Sequence, residues 1–242
     1  MEDIISDLIA IVFAIDWAPD EIIQYCIDLL EEYEVKATFF ATHHSEYLKS
    51  LDSTRYEIGI HPNFNDGGDY NRIIKELKTV YPKAIGVCSH SLFQSSKILQ
   101  LFIDNGLKYE MNTYVPLQEG LRPFTRLKGI VSIPFYWGDD GHFSTKAVFG
   151  LSELRIHEKG LKVCAFHPIH VFMNTNSVEH YDSFKAFYQE ADILKKCRNS
   201  ERGIQTLFIH LLQYLADNRV PTYLCRDIYK EYLVRTEFYE LR

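Results

Sequence analysis

Short apolar runs alternate with segments of helical periodicity along most of this 242-residue chain. The first run, Leu8–Ile15, is rich in β-branched residues, as is typical of strands buried on both faces. Strands separated by helices predict βα units and a parallel sheet. The predicted strands are Leu8–Ile15, Lys36–Ala41, Tyr56–Ile60, Ala84–Cys88, Leu107–Met111, Ile130–Pro134, Leu161–Phe166 and Val220–Leu224.

The segments between these runs carry helix signals. Residues 21–34 follow Pro19 and repeat apolar side chains at helical spacing. The helix predicted over Tyr70–Val80 stops before Pro82, and the one over Ser96–Asp104 ends at Asn105-Gly106. Arg202–Asn218 is a further amphipathic helix.

The number of βα units decides the expected fold class. Seven or eight of them in one chain favour an α/β fold, a complete or incomplete barrel of seven to eight parallel strands. A doubly wound open sheet is the alternative. We expect one domain over residues 1–242, because neither an internal repeat nor a Gly/Ser-rich linker interrupts the pattern.

Composition excludes several classes of function. Lys+Arg number 26 and Asp+Glu 33, a net charge of −7, which argues against nucleic-acid binding. The beginning of the chain lacks a basic leader, and Leu8–Ile15 is too short to span a bilayer. The five cysteines form no CxxC pair, which argues against a cysteine zinc site. We therefore expect a cytoplasmic protein without a membrane span.

Polar side chains that bind metals follow five of the predicted strands. In a parallel barrel the carboxyl ends of the strands meet on one face, where active sites lie. One carboxylate and several imidazoles on that face indicate a zinc or first-row metal site. Four of the ten histidines lie elsewhere and suit ordinary structural positions. The residues that follow strands are Asp16, His43, His44, His61, His90, His167 and His170.

At these residues the chain resembles the NodB-homology polysaccharide deacetylases, metal-dependent carbohydrate esterases, and in particular a WbmS-like branch linked to O-antigen synthesis. The resemblance covers residues 13 to about 175, and ATFF and EIGIHPNF are its most specific pieces. It implies a distorted (β/α) barrel, usually of seven strands, and an N-acetylated sugar or glycan as substrate. The matching stretches are FAIDWAPDEI, KATFFATH, YEIGIHPNF, SHSLFQSS, FYWGDD and AFHPIHVFMNT.

The resemblance also implies a metal held by one Asp and two His. Asp16 and His61 match two of these ligands, but Asn65 stands where the family has the second His. His90 is the predicted replacement and His43 the second choice. The metal is expected to be zinc, with cobalt, nickel or iron as alternatives.

The late motif implies a proton donor. His167 matches the family's general acid, and Asp139 or Asp140 is expected to pair with it. Further candidates for contact with the substrate flank the motifs. They are Trp17, His43, Asn63, Tyr136, Trp137 and His170.

Two departures from the family pattern bear on turnover. The family's catalytic base is an Asp before the metal-binding Asp, and an Arg holds it; Ala14 and Cys88 stand at these positions. Loss of both partners is coherent, because an unpaired buried Arg would be costly. The expected activity is deacetylation in surface-polysaccharide synthesis. The alternative is a catalytically impaired, glycan-binding relative. The oligomeric state stays open.

Overall fold

One curled sheet of nine strands organises the described chain, residues 7–145 and 148–240 of a computed structural model. Its helices lie mainly against the outer face of the sheet. The strands are β1 (Ile9–Ala14), β2 (Ala37–Ala41), β3 (Tyr56–Ile60), β4 (Gly86–Val87), β5 (Tyr109–Glu110), β6 (Phe124–Thr125), β7 (Val131–Ser132), β8 (Trp137–Gly138) and β9 (Lys162–Phe166).

The helices connect successive strands or follow the last one. No helix in the described ranges has both the length and the apolar character that crossing a bilayer requires. The helices are α1 (Asp20–Glu32), α2 (Glu46–Ser50), α3 (Tyr70–Val80), α4 (Ser96–Asp104), α5 (Asp139–Phe143), α6 (Pro168–Met173), α7 (Val178–Phe184), α8 (Ala191–Cys197), α9 (Ile204–Asp217) and α10 (Cys225–Glu240).

The strand order is β6-β7-β5-β4-β3-β2-β1-β9-β8. Neighbouring strands run parallel throughout, except for the antiparallel pair β6 and β7. β1 lies between β2 and β9, in a register that aligns Phe13 with Phe39 and with Phe166. The predicted parallel sheet is confirmed.

Backbone hydrogen bonds outside the named strands close this sheet into a ring. Residues 131–138 carry β7, which pairs with β5, and then β8, which pairs with β9. The chain that follows β5 runs beside the same segment: Val115 N donates to Phe135 O at 3.0 Å, and Leu117 N to Tyr136 O at 2.9 Å. The ring therefore consists of β1 to β5, residues 131–138 and β9. The predicted distorted (β/α) barrel is confirmed.

Alternation along β1 separates the inside of the barrel from the helical layer. The Phe13 ring stacks on Phe39 with centroids 4.9 Å apart and meets the edge of Phe208 of α9. Its neighbours Val12 and Ala14 face the interior instead. Burial of each large apolar side chain stabilises the fold by about 1.5–3 kcal/mol, which makes the interface between sheet and helices the main stabilising layer.

The strand predicted over Val220–Leu224 is wrong. The segment makes one isolated bridge, from Thr222 to Ile9, and Tyr223 N donates to Ile9 O. Pro221 has no N–H to give to a ladder, so regular pairing is blocked there. The chain instead turns at the amino ends of the strands and begins α10, a helix that the sequence pattern did not predict.

Glu57 joins this last helix to the barrel interior. It is 3 % exposed, and its carboxylate accepts hydrogen bonds from Tyr109 OH at 2.8 Å and Thr38 Oγ1 at 3.1 Å. Arg226 N, in the first turn of α10, donates to the same carboxylate at 2.8 Å. Three donors from β2, β5 and α10 thus converge on one buried side chain.

Replacing Glu57 with alanine is expected to lower the free energy of unfolding by about 3 kcal/mol, because buried donors lose their acceptor. Urea denaturation measures the change. Glu76→Ala is the matched control: Glu76 is exposed and 3.8 Å from Arg72, so its loss should cost less than about 0.5 kcal/mol. Equal denaturation midpoints for the two variants would contradict this role of Glu57.

Candidate active site

Four of the predicted site residues meet at the carboxyl ends of the barrel strands. Asp16 follows β1, His61 follows β3, His90 lies beyond β4, and His167 follows β9. Parallel strands deliver these side chains to one face, although the residues are far apart in the sequence.

Asp16 is the centre of this group. Its Oδ1 lies 3.0 Å from His61 Nε2 and 3.2 Å from His90 Nδ1, and its Oδ2 lies 3.5 Å from His167 Nε2. One ligand atom from each of Asp16, His61 and His90 lies within 4.8 Å of the others. We call these three residues the ligand cluster.

The surroundings of Asp16 keep its carboxylate ionised. Burial by itself raises a carboxyl pKa, but hydrogen bonds from His61 and His90 and the charge of His167 outweigh it. The pKa of Asp16 consequently lies well below its ordinary value. The cluster therefore presents a negative oxygen between imidazole nitrogens.

Two turns that carry the cluster have unusual backbone conformations. Asp16 and Trp17 have φ of 39° and 59°, and Ser91 and Leu92, directly after His90, have φ of 54° and 55°. Residues other than glycine adopt this left-handed region at a cost, and such strain concentrates at functional sites. In the first turn Trp17 N donates to Thr42 Oγ1 at 2.9 Å.

His167 is held from behind by a buried carboxylate. Asp139, 0 % exposed, accepts from the His167 backbone N at 2.6 Å and lies 2.7 Å from the ring Nδ1. Burial opposes a charged ring, but Asp140 and Asp139 raise the pKa of His167 well above its ordinary value. These carboxylates therefore favour the protonated form of the ring, whose Nε2 points at the ligand cluster. Of the two acids predicted to pair with His167, Asp139 makes the close contact.

Asp140 lies beside this pair and has a different partner. Its Oδ1 is 3.0 Å from His170 Nε2, and its Oδ2 is 3.9 Å from His167 Nε2. His170 is buried one helical turn after His167, and its Nδ1 is 3.1 Å from Thr175 Oγ1. Asp140, His167 and His170 form a second group with metal-ligand atoms within 4.8 Å of one another.

The ligand cluster fits a divalent metal ion by the chemistry of its donors. One carboxylate and two imidazoles are the ligand set of catalytic zinc sites, and they also suit cobalt, nickel and iron. Two ring nitrogens and a carboxylate oxygen lie close enough together to bind one cation. The other ring nitrogen of His61, Nδ1, is buried and has no hydrogen-bond partner among the described residues, so among them Nε2 is the ring nitrogen that makes the polar contact.

The remaining sequence candidates are scattered. His43 contacts Thr42 Oγ1 through Nδ1 at 3.0 Å and belongs to neither three-ligand group found in the described chain. Asn63 accepts from Asn65 N in the loop after β3. Trp17 is 39 % exposed, and its ring meets the edge of His90. The exposed part of the Trp17 ring is accessible to a ligand.

Trp137 and Tyr136 are core residues. They are 2 % and 1 % exposed. Trp137 Nε1 donates to His142 Nδ1 at 3.1 Å, and Tyr136 OH donates to Glu158 at 3.4 Å. Neither ring offers a free face to a sugar, which corrects the expectation that they stack on substrate.

Sequence reasoning missed one wall of the site. A cleft of about 500 Å³ opens outward from the cluster, and residues after α6 line its far side: Tyr181, Lys185, Tyr188 and Gln189. Gln189 Nε2 donates to Trp17 O at 2.8 Å, which joins that wall to the turn after β1. Tyr188 OH is buried and has no partner within the described ranges. These residues belong to no recognisable motif and do not follow a strand, so the sequence pattern could not predict their place in the site.

Ala14 and Cys88 face a second, inner cavity of about 200 Å³. The Cys88 thiol donates to Met111 O at 3.4 Å, and burial raises its pKa well above the ordinary value. A neutral thiol of this kind is a poor proton acceptor.

Comparison with known proteins assigns the family. A family model described as "WbmS-like: Polysaccharide deacetylase" matches residues 11–185. A search of curated proteins finds no significant match.

Solved structures agree with this match. A Bordetella bronchiseptica protein, described as a polysaccharide deacetylase involved in O-antigen biosynthesis, is 33 % identical with a TM-score of 0.80, over 85 % of this chain and 90 % of that one. Peptidoglycan deacetylase PdaC from Bacillus subtilis has 13 % identity and a TM-score of 0.55, over 100 % and 98 % of the two chains. A family 4 carbohydrate esterase from Streptomyces lividans has 12 % identity and a TM-score of 0.51, over 89 % and 91 %. The last two share the fold.

The predicted resemblance is thus confirmed over the stretch that carries Asp16, His61, His90 and His167. The chain belongs to the WbmS-like family of polysaccharide deacetylases.

Proposed function

We propose that this protein is a metal-dependent hydrolase that removes N-acetyl groups from a sugar in a surface-polysaccharide precursor. The observation that carries the proposal is the ligand cluster of Asp16, His61 and His90 beside the His167–Asp139 pair. Family membership supports deacetylation, and the description of the Bordetella protein supports a role in O-antigen synthesis.

Asp16, His61 and His90 would hold one divalent ion, zinc in preference to cobalt, nickel or iron. The ion would supply Lewis acidity toward a carbonyl and a water. Three protein ligands leave further coordination positions for substrate and solvent. Asp16 and His90 of the cluster line both the inner cavity and the outer cleft. A scissile bond placed at the cluster could therefore extend one part of the substrate into each space.

Proton delivery to the leaving amine falls to His167. Asp139 fixes the ring through Nδ1, and Asp140 together with Asp139 raises the pKa of His167, which favours a proton on the Nε2 that points at the cluster. Amide hydrolysis requires that proton because an amide anion is a poor leaving group.

The proton of the attacking water needs another acceptor, because the resemblance aligns Ala14 with the family's base position. Asp139 is buried and committed to His167, and Asp16 belongs to the ligand cluster. Asp140 is the neighbouring exposed carboxylate, held by His170 at 3.0 Å. We assign proton acceptance to Asp140.

The outer cleft is the proposed place of the sugar. Trp17 presents an exposed ring at its rim, and Tyr188 OH is free of partners in the described structure. Aromatic faces and uncommitted hydroxyls are the groups that bind a polyhydroxylated ring.

His90→Ala is expected to weaken metal binding about 10- to 100-fold or more, because it removes a ligand 3.2 Å from Asp16. His43→Ala is the matched control and should leave the affinity unchanged, since His43 contacts Thr42 instead. Competition against a chromogenic chelator measures both constants. A larger loss in His43→Ala would overturn the assignment of His90.

The test of the proposed activity is acetate release by the zinc-loaded protein from N-acetylated sugars. We expect release that chelation abolishes and zinc restores. O-acetylated sugars are the comparison: faster release from esters than from amides would instead place the enzyme among esterases.

The alternative function is a glycan-binding relative without turnover. Ala14 and Cys88, which the resemblance aligns with the family's base and its Arg, both line the inner cavity and favour this alternative. It predicts sugar binding with no acetate released at saturating zinc. Release that disappears in His167→Ala rejects this alternative.

A further inference from the structure

The candidate active site lies between two cavities of opposite character. The outer cleft, about 500 Å³, opens to solvent, and the inner cavity, about 200 Å³, reaches into the barrel. Asp16, His90, Asp140 and His167 line both. A substrate whose scissile bond lies at these residues would place one part in each space.

Apolar side chains form most of the inner wall. Val12 and Phe40 are buried on β1 and β2, and Met111 follows β5. Tyr114 and Phe135 stack with ring centroids 4.5 Å apart and form one side. An occupant that fits this wall is therefore apolar.

Small side chains create the room. Ala14 on β1 and Ala165 on β9 both line the cavity, where larger residues would fill it. Two polar side chains of the lining are engaged: Cys88 Sγ donates to Met111 O, and Ser89 Oγ accepts from Asn112 Nδ2 at 3.2 Å. A polar occupant would find few free partners, which costs free energy.

The volume exceeds what an acetyl group needs. An apolar protein cavity of about 150 Å³ accepts a molecule the size of benzene. One methyl group would leave most of the 200 Å³ empty, and unfilled apolar space forfeits contacts.

We propose that the inner cavity receives the acyl chain of the amide, and that the preferred substrates are sugars with N-acyl groups of about four to six carbons. The inference rests on the proposed hydrolase function and names its substrate class. Hydrolysis breaks the amide C–N bond, joins the oxygen of water to the acyl carbon, and passes a proton to the amine. The products are a carboxylic acid in the inner cavity and an amino sugar in the outer cleft.

The test compares N-acetyl-, N-butyryl- and N-hexanoylglucosamine with the zinc-loaded protein. Two additional buried methylenes should raise kcat/KM about tenfold from acetyl to butyryl. Release of acetate with rejection of the longer chains would overturn the inference and leave the proposed function standing. Release from none of the three would refute the proposed function.

Binding gives a readout independent of turnover. Calorimetry with the same three sugars should show N-butyryl binding tighter than N-acetyl by about the same factor. Equal affinities would overturn the inference whether or not the protein hydrolyses amides.

Filling the cavity supplies the structural control. Ala14→Leu should lower the butyryl-to-acetyl ratio of kcat/KM at least tenfold. If that variant misfolds, Ala165→Val on the neighbouring strand fills the same cavity and should lower the same ratio. Ala216→Leu makes the same chemical change on the exposed side of α9 and should leave the ratio unaltered. An unchanged ratio in both cavity variants would contradict the inference.

Discussion

Asp16→Ala is expected to lower metal affinity by about a hundredfold or more and to abolish hydrolysis at any practical zinc concentration. The Asp16 carboxylate is within hydrogen-bond distance of both other members of the ligand cluster, with Oδ1 at 3.0 and 3.2 Å from His61 and His90. Its removal deletes a ligand and also the carboxylate that orients the two imidazoles. The effect should therefore exceed that of removing either histidine.

Elemental analysis after dialysis measures this loss directly. Asp28→Ala is the matched control, because Asp28 lies exposed on α1 and should leave metal content unchanged. Asp16→Asn preserves the shape of the side chain and separates loss of charge from loss of packing. If Asp16→Ala retained the metal content of the wild type, the ligand cluster would not be the metal site.

His167→Ala is expected to reduce kcat by about 10²- to 10⁴-fold, the usual contribution of a positioned acid. Metal content should stay near that of the wild type, because His167 is not a member of the ligand cluster. Asp139→Asn should give a smaller loss in the same direction, since the 2.7 Å contact with Nδ1 sets the orientation and charge of the ring.

Steady-state rates of acid release, read together with metal content, separate these effects. His157→Ala is the matched control: His157 is exposed and contacts Tyr214 OH at 3.3 Å, away from the site. A His167→Ala rate within a factor of two of the wild type would assign proton delivery to a different group.

The sequence predicted much of the fold where local signals are strong. The helix α3 has the predicted bounds Tyr70–Val80: Asp69 caps it by accepting from Arg72 N, and Pro82 follows its end. The strand β3 matches Tyr56–Ile60. Hydrophobic periodicity and terminal signals are properties of the segment itself, so they can be identified without tertiary information.

Segments defined by tertiary contacts were not predicted. The ring closes through bonds from residues 113–117 to 135–136, in stretches with no strand pattern of their own. The helix α10 begins directly after the wrongly predicted strand Val220–Leu224, and its first turn is held by Glu57, 169 positions away. Such contacts depend on the assembled barrel, and the local sequence does not encode them.

In the candidate active site, too, local sequence signals predicted some residues and tertiary contacts determine others. Strand-end placement made Asp16, His61, His90 and His167 candidates and predicted that they lie together, because parallel topology alone brings such positions together. The wall of the outer cleft depends on the contact between Gln189 and Trp17, which are 172 positions apart. The burial of Trp137 was not predictable either, because a side chain beside a motif can point to either face of the sheet.

The most direct test of the account is a zinc titration of the metal-free protein with acid release from an N-acylated sugar as the signal. We predict activity that rises in proportion to added zinc, reaches its plateau at one equivalent per chain, and is absent throughout in Asp16→Ala. Release that persists in the metal-free protein, or full activity in Asp16→Ala, would contradict the claim that the ligand cluster supports metal-dependent hydrolysis.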